Sequence, residues 1–173
     1  MGGVVFALTR ILVPTNLGEP SRTAIKYGVA FARQFNAKLF LVHMLDVKEL
    51  DAALETERVL ETLLPEDTSA EEPDPKQIAH NAAREDLANL LSPEEERDTR
   101  AEYLLRGAPS GAADAIRECA EQLAVELVVM GKHRQGFVDH LVAGSVAEKV
   151  MRSAPCPVLI VHHPEHDFVQ DER

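Results

Sequence analysis

VVMGKHRQGFVDHLVAGSVAEKVMRSAPCPVLIV, residues Val128 to Val161, holds a strand, a glycine-bearing loop, a helix and a final strand in one continuous run. The apolar segment that begins at Val125 stops at Gly131. A second small pair, Gly144-Ser145, opens a helix whose Ser145-x-x-Glu148 spacing is that of a capping box. A loop that leaves the carboxyl end of a buried strand and runs into free backbone N–H groups at a helix start is where α/β proteins commonly hold phosphate.

Working outward, Arg10-Ile11-Leu12-Val13-Pro14-Thr15 is a short apolar run that ends at turn-forming Asn16-Leu17-Gly18 and reads as the first strand. From Pro20 a helix follows, with Ala24, Gly28, Phe31 and Phe35 on one face and Asn36 at its end. Lys38 to Leu45 is a second strand whose near-continuous apolar centre suits burial on both sheet faces. Residues 47–98 are strongly acidic and interrupted by Pro65, Pro73, Pro75 and Pro93; Gln77 to Leu91 is the one sustained helix expected there, and the remainder reads as mobile. Strand character resumes at Glu102-Tyr103-Leu104-Leu105. Ala113, Ile116, Ala120 and Leu123 then mark an amphipathic helix leading to the strand at Val125, and Pro157 to Val161 forms the last strand.

Five strands alternating with helices predict an α/β fold: an open five-stranded parallel sheet, order 3-2-1-4-5, with helices on both faces. The chain is expected to be a single domain over residues 1–173 with an acidic helical insertion at about 47–98. Ligands of such sheets bind beyond the carboxyl ends of the strands where the winding reverses. In this order that point brings Thr15-Asn16 opposite Gly131 to Gly136.

A formal charge of −11 argues against a nucleic-acid surface, which needs a basic stripe to displace phosphate counterions. Cys119 and Cys156 are too few for a disulfide framework, and the N-terminal MGGVVFALTR lacks the features of an export signal or a membrane span, so a cytoplasmic protein is expected. Within this acidic chain Lys132, His133 and Arg134 form a basic cluster with no acidic residue between Gly131 and Val138. A cationic patch that survives against the average field marks a place for an anion.

From about Arg10 to Val161 the residues resemble the universal stress protein family. Its hallmark loop, G-x-x-G, nine residues, then G-(S/T), is matched at Gly131, Gly144 and Ser145, with nine residues from Gln135 to Ala143 between. The closing helix and strand, with the turn Ala154-Pro155-Cys156-Pro157, match too, as do ILVPTN and LFLVHML. Arg134 stands where the pattern has its second glycine, and Asn16 stands where the first strand commonly ends in aspartate. The resemblance implies ATP as ligand, with or without Mg, in a stress-response regulatory protein. By position it implies Thr15 and Asn16 near ribose and adenine, Met44 beside adenine, and Met130 with Gly131 under the sugar and phosphates. Gly144, Ser145 and Val146 would donate to the phosphate tail. Lys132, Arg134 and Gly136 complete the loop, Arg134 through its guanidinium and Gly136 by relieving the turn. The family also implies a homodimer paired through the last strand, Pro157–Val161.

Several of these residues have simpler roles open to them. Ser145 suits a helix cap, Met44 and Met130 suit packing at strand ends, and His43 suits a hydrogen-bonded structural histidine. No G-x-S-x-G elbow, no H-E-x-x-H and no Walker lysine occurs, so no catalytic or metal-ligating residue is assigned and slow ATP hydrolysis is the most expected. The competing reading is a nucleotide-free homodimeric scaffold of the same family, acting on an unknown protein partner.

Overall fold

The computed structural model describes residues 7–45, 75–131 and 145–161. Five strands form one parallel sheet: β1 (Arg10–Thr15), β2 (Lys38–Leu45), β3 (Glu102–Gly107), β4 (Leu127–Gly131) and β5 (Val158–Val161). Their order is β3-β2-β1-β4-β5, as the alternation of elements predicts. Among the described residues the helices are α1 (Glu19–Phe35), α2 (Pro75–Ala88), α3 (Pro93–Thr99), α4 (Ala112–Gln122) and α5 (Ser145–Ser153).

The two-residue period of the strands divides the core into two layers. On one face Ile11, Val13, Leu39, Leu41 and Val129 pack with the buried side of α1 and with Leu87 and Leu91. On the other, Leu12, Phe40, Val42, Leu104, Val128 and Met130 pack against Ile116, Cys119 and Ala120 of α4 and Ala147 and Val150 of α5. β1 and β2 are apolar on both sides because helices cover both, and each fully buried Val or Leu contributes about 1.5–3 kcal/mol. Close helix-to-sheet approach is set by Gly28, where even a methyl group would lie 2.6 Å from Cγ2 of Val13. Phe35, expected on the buried face of α1, is 39% exposed and stacks on Phe31 with centroids 6.3 Å apart. Ile25, Val29 and Ala32 take the core positions instead.

The acidic segment contains more helix than its prolines suggest. The helix expected over Gln77–Leu91 runs Pro75–Ala88, and a second one, α3, occupies residues read as mobile. Its start is a capping box: the Ser92 hydroxyl accepts from Glu95 N–H at 3.3 Å, and the Glu95 carboxylate accepts from Ser92 N–H at 2.8 Å. Pro93 sits in the first turn, where no N–H is needed, so here proline starts a helix rather than breaking one. Both α1 and α3 end in left-handed residues, Asn36 (φ 52°) and Arg100 (φ 49°), and Ala37 and Ala101 N–H close each end back onto the last turn. The two ends are joined to each other. The Arg100 guanidinium donates to the Asn36 carbonyl at 2.6 Å, and Arg33 pairs with Asp98 at 2.9 Å.

At the amino end of the sheet Glu126 gathers the chain start. Its carboxylate accepts from Thr9 N, Thr9 Oγ1 and Arg10 N at 3.0, 2.9 and 2.6 Å, while its own N–H donates to the Arg10 carbonyl. Partial burial opposes the charge. The Thr9 and Arg10 donors and the Arg10 guanidinium outweigh that and hold the carboxyl below its ordinary value.

Candidate functional site

β1 is the strand where winding reverses, with β2 and β3 on one side and β4 and β5 on the other. The Thr9 carbonyl accepts from Lys38 N, toward β2, whereas the Arg10 carbonyl accepts from Glu126 N, toward β4. Backbone groups alternate sides along a strand, so residue 14 is directed at β4. That residue is proline and has no N–H to give. Pairing of β1 with β4 accordingly covers Ile11–Leu127 and Leu12–Val128, while pairing with β2 continues to Thr15–His43. Beyond Leu12 no ladder joins β1 to β4, and their carboxyl ends form the two lips of the switch point. A proline within the central strand was visible in the sequence, but its meaning depends on which neighbour its missing donor faces.

The lip on the β1 side is a tight, internally bonded turn. Asn16 Oδ1 accepts from the Ser21 hydroxyl at 2.6 Å and from Gly18 N–H at 3.1 Å, and Ser21 Oγ accepts from Asn16 N–H. Thr15 Oγ1 accepts from Leu17 N–H at 2.9 Å, and Leu17 is held at φ 63°. Thr15, expected near the ligand, is buried and braces the turn through its hydroxyl oxygen, which leaves its O–H to donate. His43 Nδ1 lies 2.9 Å from the Thr15 carbonyl, the structural role read from the sequence. The acceptor of Asn16 is likewise engaged. What remains of Asn16 for a ligand is the Nδ2 amide, which has no partner among the described residues.

The sheet face under α4 and α5 is apolar and packed beneath those helices. Continuing the β1–β4 register places Met130 beside Pro14, and the measured pairings carry that row to Val42 and Leu104 on one side and Ile160 on the other. Met130 is buried and Met44 packs on the same cluster, so both methionines line an apolar surface on a single face. Met44 lies one row nearer the rim. Directly paired with it is Arg106 of β3, which sequence reading passed over because an arginine at a strand end looks like a solvated charge. On this face the Cys119 thiol is pushed up by burial, an effect that Arg106 partly offsets. Cys119 is an inert packing residue here.

On the β4 side Gly131 ends the strand in register with Val161. Lys132, Arg134, Gly136 and Gly144 lie outside the described residues, as does the side chain of Ser145 and hence its capping role. Ser145 begins α5, and Val146 beside it is exposed; the Glu148 carboxylate accepts from Arg152. Among the described residues no cluster of three or more His, Cys, Asp or Glu is placed to hold a metal, and no helix is long and apolar enough to cross a membrane.

The model of the universal stress protein family matches residues 7–162. A universal stress protein of Methanocaldococcus jannaschii is 27% identical over 159 residues, covering 91% of this chain and 84% of its own. Two solved structures share the fold. A universal stress protein in complex with cAMP superposes with a TM-score of 0.58 at 21% identity, covering 91% of this chain and 98% of its own. One from Archaeoglobus fulgidus in complex with dAMP has a TM-score of 0.54 at 17% identity, covering 90% and 98%.

Proposed function

Since the chain belongs to the universal stress protein family, we propose that it is a stress-response regulatory protein that binds an adenine nucleotide, ATP in the first instance, at the switch point between β1 and β4. The observation that carries this reading is the end of the β1–β4 ladder before Pro14, at the switch point of the sheet, with the half-buried Met44 one row beyond the packed Met130, Val42 and Leu104. Met44 would sit against the base, and the Asn16 amide would donate to a ribose hydroxyl. Gly131, Lys132, Arg134, Gly136, Gly144, Ser145 and Val146 would surround the phosphates. The relatives solved with cAMP and dAMP support an adenosine monophosphate moiety as the common part of the ligand. Mg, where present, would be held by the phosphates.

The chain's chemistry suits binding rather than turnover. Cys119 is buried with a raised pKa, and the His43 Nδ1 is committed to a backbone carbonyl. Neither is placed as a nucleophile or base. Occupancy would act by favouring one conformation over another, to the extent that the nucleotide binds the two differently.

Titration with Mg-ATP, followed as a thermal midpoint, tests the proposal. Ligand at one hundred times Kd stabilises by about 2.7 kcal/mol. The rise should vanish in Gly131→Ala, while Arg134→Gly should keep or enlarge it. A flat response at millimolar nucleotide would favour the second reading, a nucleotide-free homodimeric scaffold. That reading draws on β5, an edge strand with Val158, Leu159 and Ile160 half-buried, flanked on α5 by exposed Met151 and Val146. Sedimentation would then show a dimer unaffected by ATP.

A further inference from the structure

We infer that Arg106 is a ligand-contacting residue of this site, donating from its guanidinium to acceptor atoms on the edge of the purine base. The inference rests on the nucleotide reading above and adds a residue that neither the family loop nor the sequence motifs assign. Three observations carry it. Arg106 is directly paired with Met44, one row beyond the packed Val42–Leu104 pair and on the same sheet face. Its charge also acts on Cys119 of α4, which packs against that face. Its own bonding is slight: NH1 donates to the neighbouring Leu105 carbonyl at 3.2 Å, and no carboxylate among the described residues is paired with it. Arg10, Arg33, Arg117 and Arg152, by contrast, each hold a carboxylate. Among the described residues Arg106 is thus an exposed arginine that no carboxylate holds.

Distance decides which part of a nucleotide they meet. β3 and β4 are separated by three strand intervals, roughly 14 Å at ordinary spacing. Phosphates gathered near Gly131 therefore lie beyond the reach of Arg106, whereas a base resting on Met44 would present its far edge to it. A guanidinium offers donors and no acceptor, in a planar fork that suits adjacent ring nitrogens or a carbonyl oxygen. Such a contact is forked on guanine, whose O6 and N7 both accept, and single on adenine, whose N7 accepts beside the N6 amino donor.

The test is isothermal titration of wild type, Arg106→Ala and Arg106→Lys with ATP and GTP, repeated across a range of salt. Arg106 is exposed, so the variants should fold, which the ligand-free thermal midpoint checks. Arg106→Ala should bind GTP about tenfold more weakly, as expected for loss of one forked contact, and ATP more weakly by a smaller factor, as for loss of a single bond, with Arg106→Lys intermediate. The slope of affinity against salt should be unchanged, because a charge roughly 14 Å from the phosphates is screened at physiological ionic strength. Wild-type binding that Arg106→Ala retains in full overturns this inference and leaves the nucleotide reading standing. A shallower salt slope in the variant overturns it in favour of a phosphate contact. Absence of binding by wild type overturns both.

Discussion

Replacing Gly28 by alanine sets two opposing effects against each other, and the structure says which prevails. An exposed helix would gain about 1 kcal/mol from the change, since alanine loses less backbone entropy than glycine. Gly28, however, faces β1 and β2, and its new Cβ would lie 2.6 Å from Val13 Cγ2 and 3.3 Å from Leu39 Cδ1. Both neighbours are fully buried, and Val13, branched at Cβ, has little rotamer freedom with which to retreat. Overpacking of this kind costs about 1–3 kcal/mol, which leaves a net destabilisation of up to about 2 kcal/mol. For a chain of this size the thermal midpoint should fall by up to about 8 °C. Val13→Ala removes the methyl that is struck, so the double variant should be less destabilised than the two single losses added together, by about 1 kcal/mol. Denaturant unfolding of the four proteins measures this directly. A Gly28→Ala variant more stable than the parent, or strict additivity in the cycle, would show that the helix does not approach the sheet as described.

Three further outcomes are expected. Asn16→Asp keeps the acceptor used by Gly18 N–H and Ser21 Oγ, adds a charge at the start of α1, and should stabilise by about 0.5–1 kcal/mol at pH 7; calorimetry should show the gain disappearing once the carboxyl is protonated at pH 3. Glu126, whose carboxyl is held below its ordinary value of 4.5, contributes stability present above that value and lost as pH falls through its lowered folded-state value. Urea melts of Glu126→Gln should show a deficit of under about 1 kcal/mol at pH 7, small because the site is half-exposed, narrowing below pH 4.5. Ser92→Ala breaks the reciprocal cap of α3 and should cost about 1 kcal/mol, seen as faster amide exchange over Pro93–Thr99.

The order of the sheet was legible because each strand is a compact apolar run and each crossover carries a helix-period stripe; β1 and β2 fall on the residues that the pattern marks. Errors arose where a local rule had a second meaning. Pro93 looked like an interruption, yet Ser92 and Glu95 flank it at capping-box spacing, a signal present in the sequence and outweighed by the acidity of its surroundings. Phe35 continues the helical stripe on paper, but it is the last residue of α1 and is 39% exposed there. In the candidate site, Met44 and Met130 share a face as period two requires. Thr15 could not be assigned from pattern alone, because whether its hydroxyl serves a ligand or the Leu17 N–H depends on the turn that follows. Arg106 became visible only through register.

The lock between the ends of α1 and α3 bears on how this chain tolerates change. Arg100 and Asn36, with Arg33 and Asp98, fasten the last stretch before β3 to a helix on the other side of the insertion. The start of β3 is thus held to the end of α1 by side chains as well as by the ladder to β2. Loop closure costs only about 0.6 kcal/mol more per doubling of length, so chain added between β2 and β3 should leave the sheet standing as long as this lock is kept.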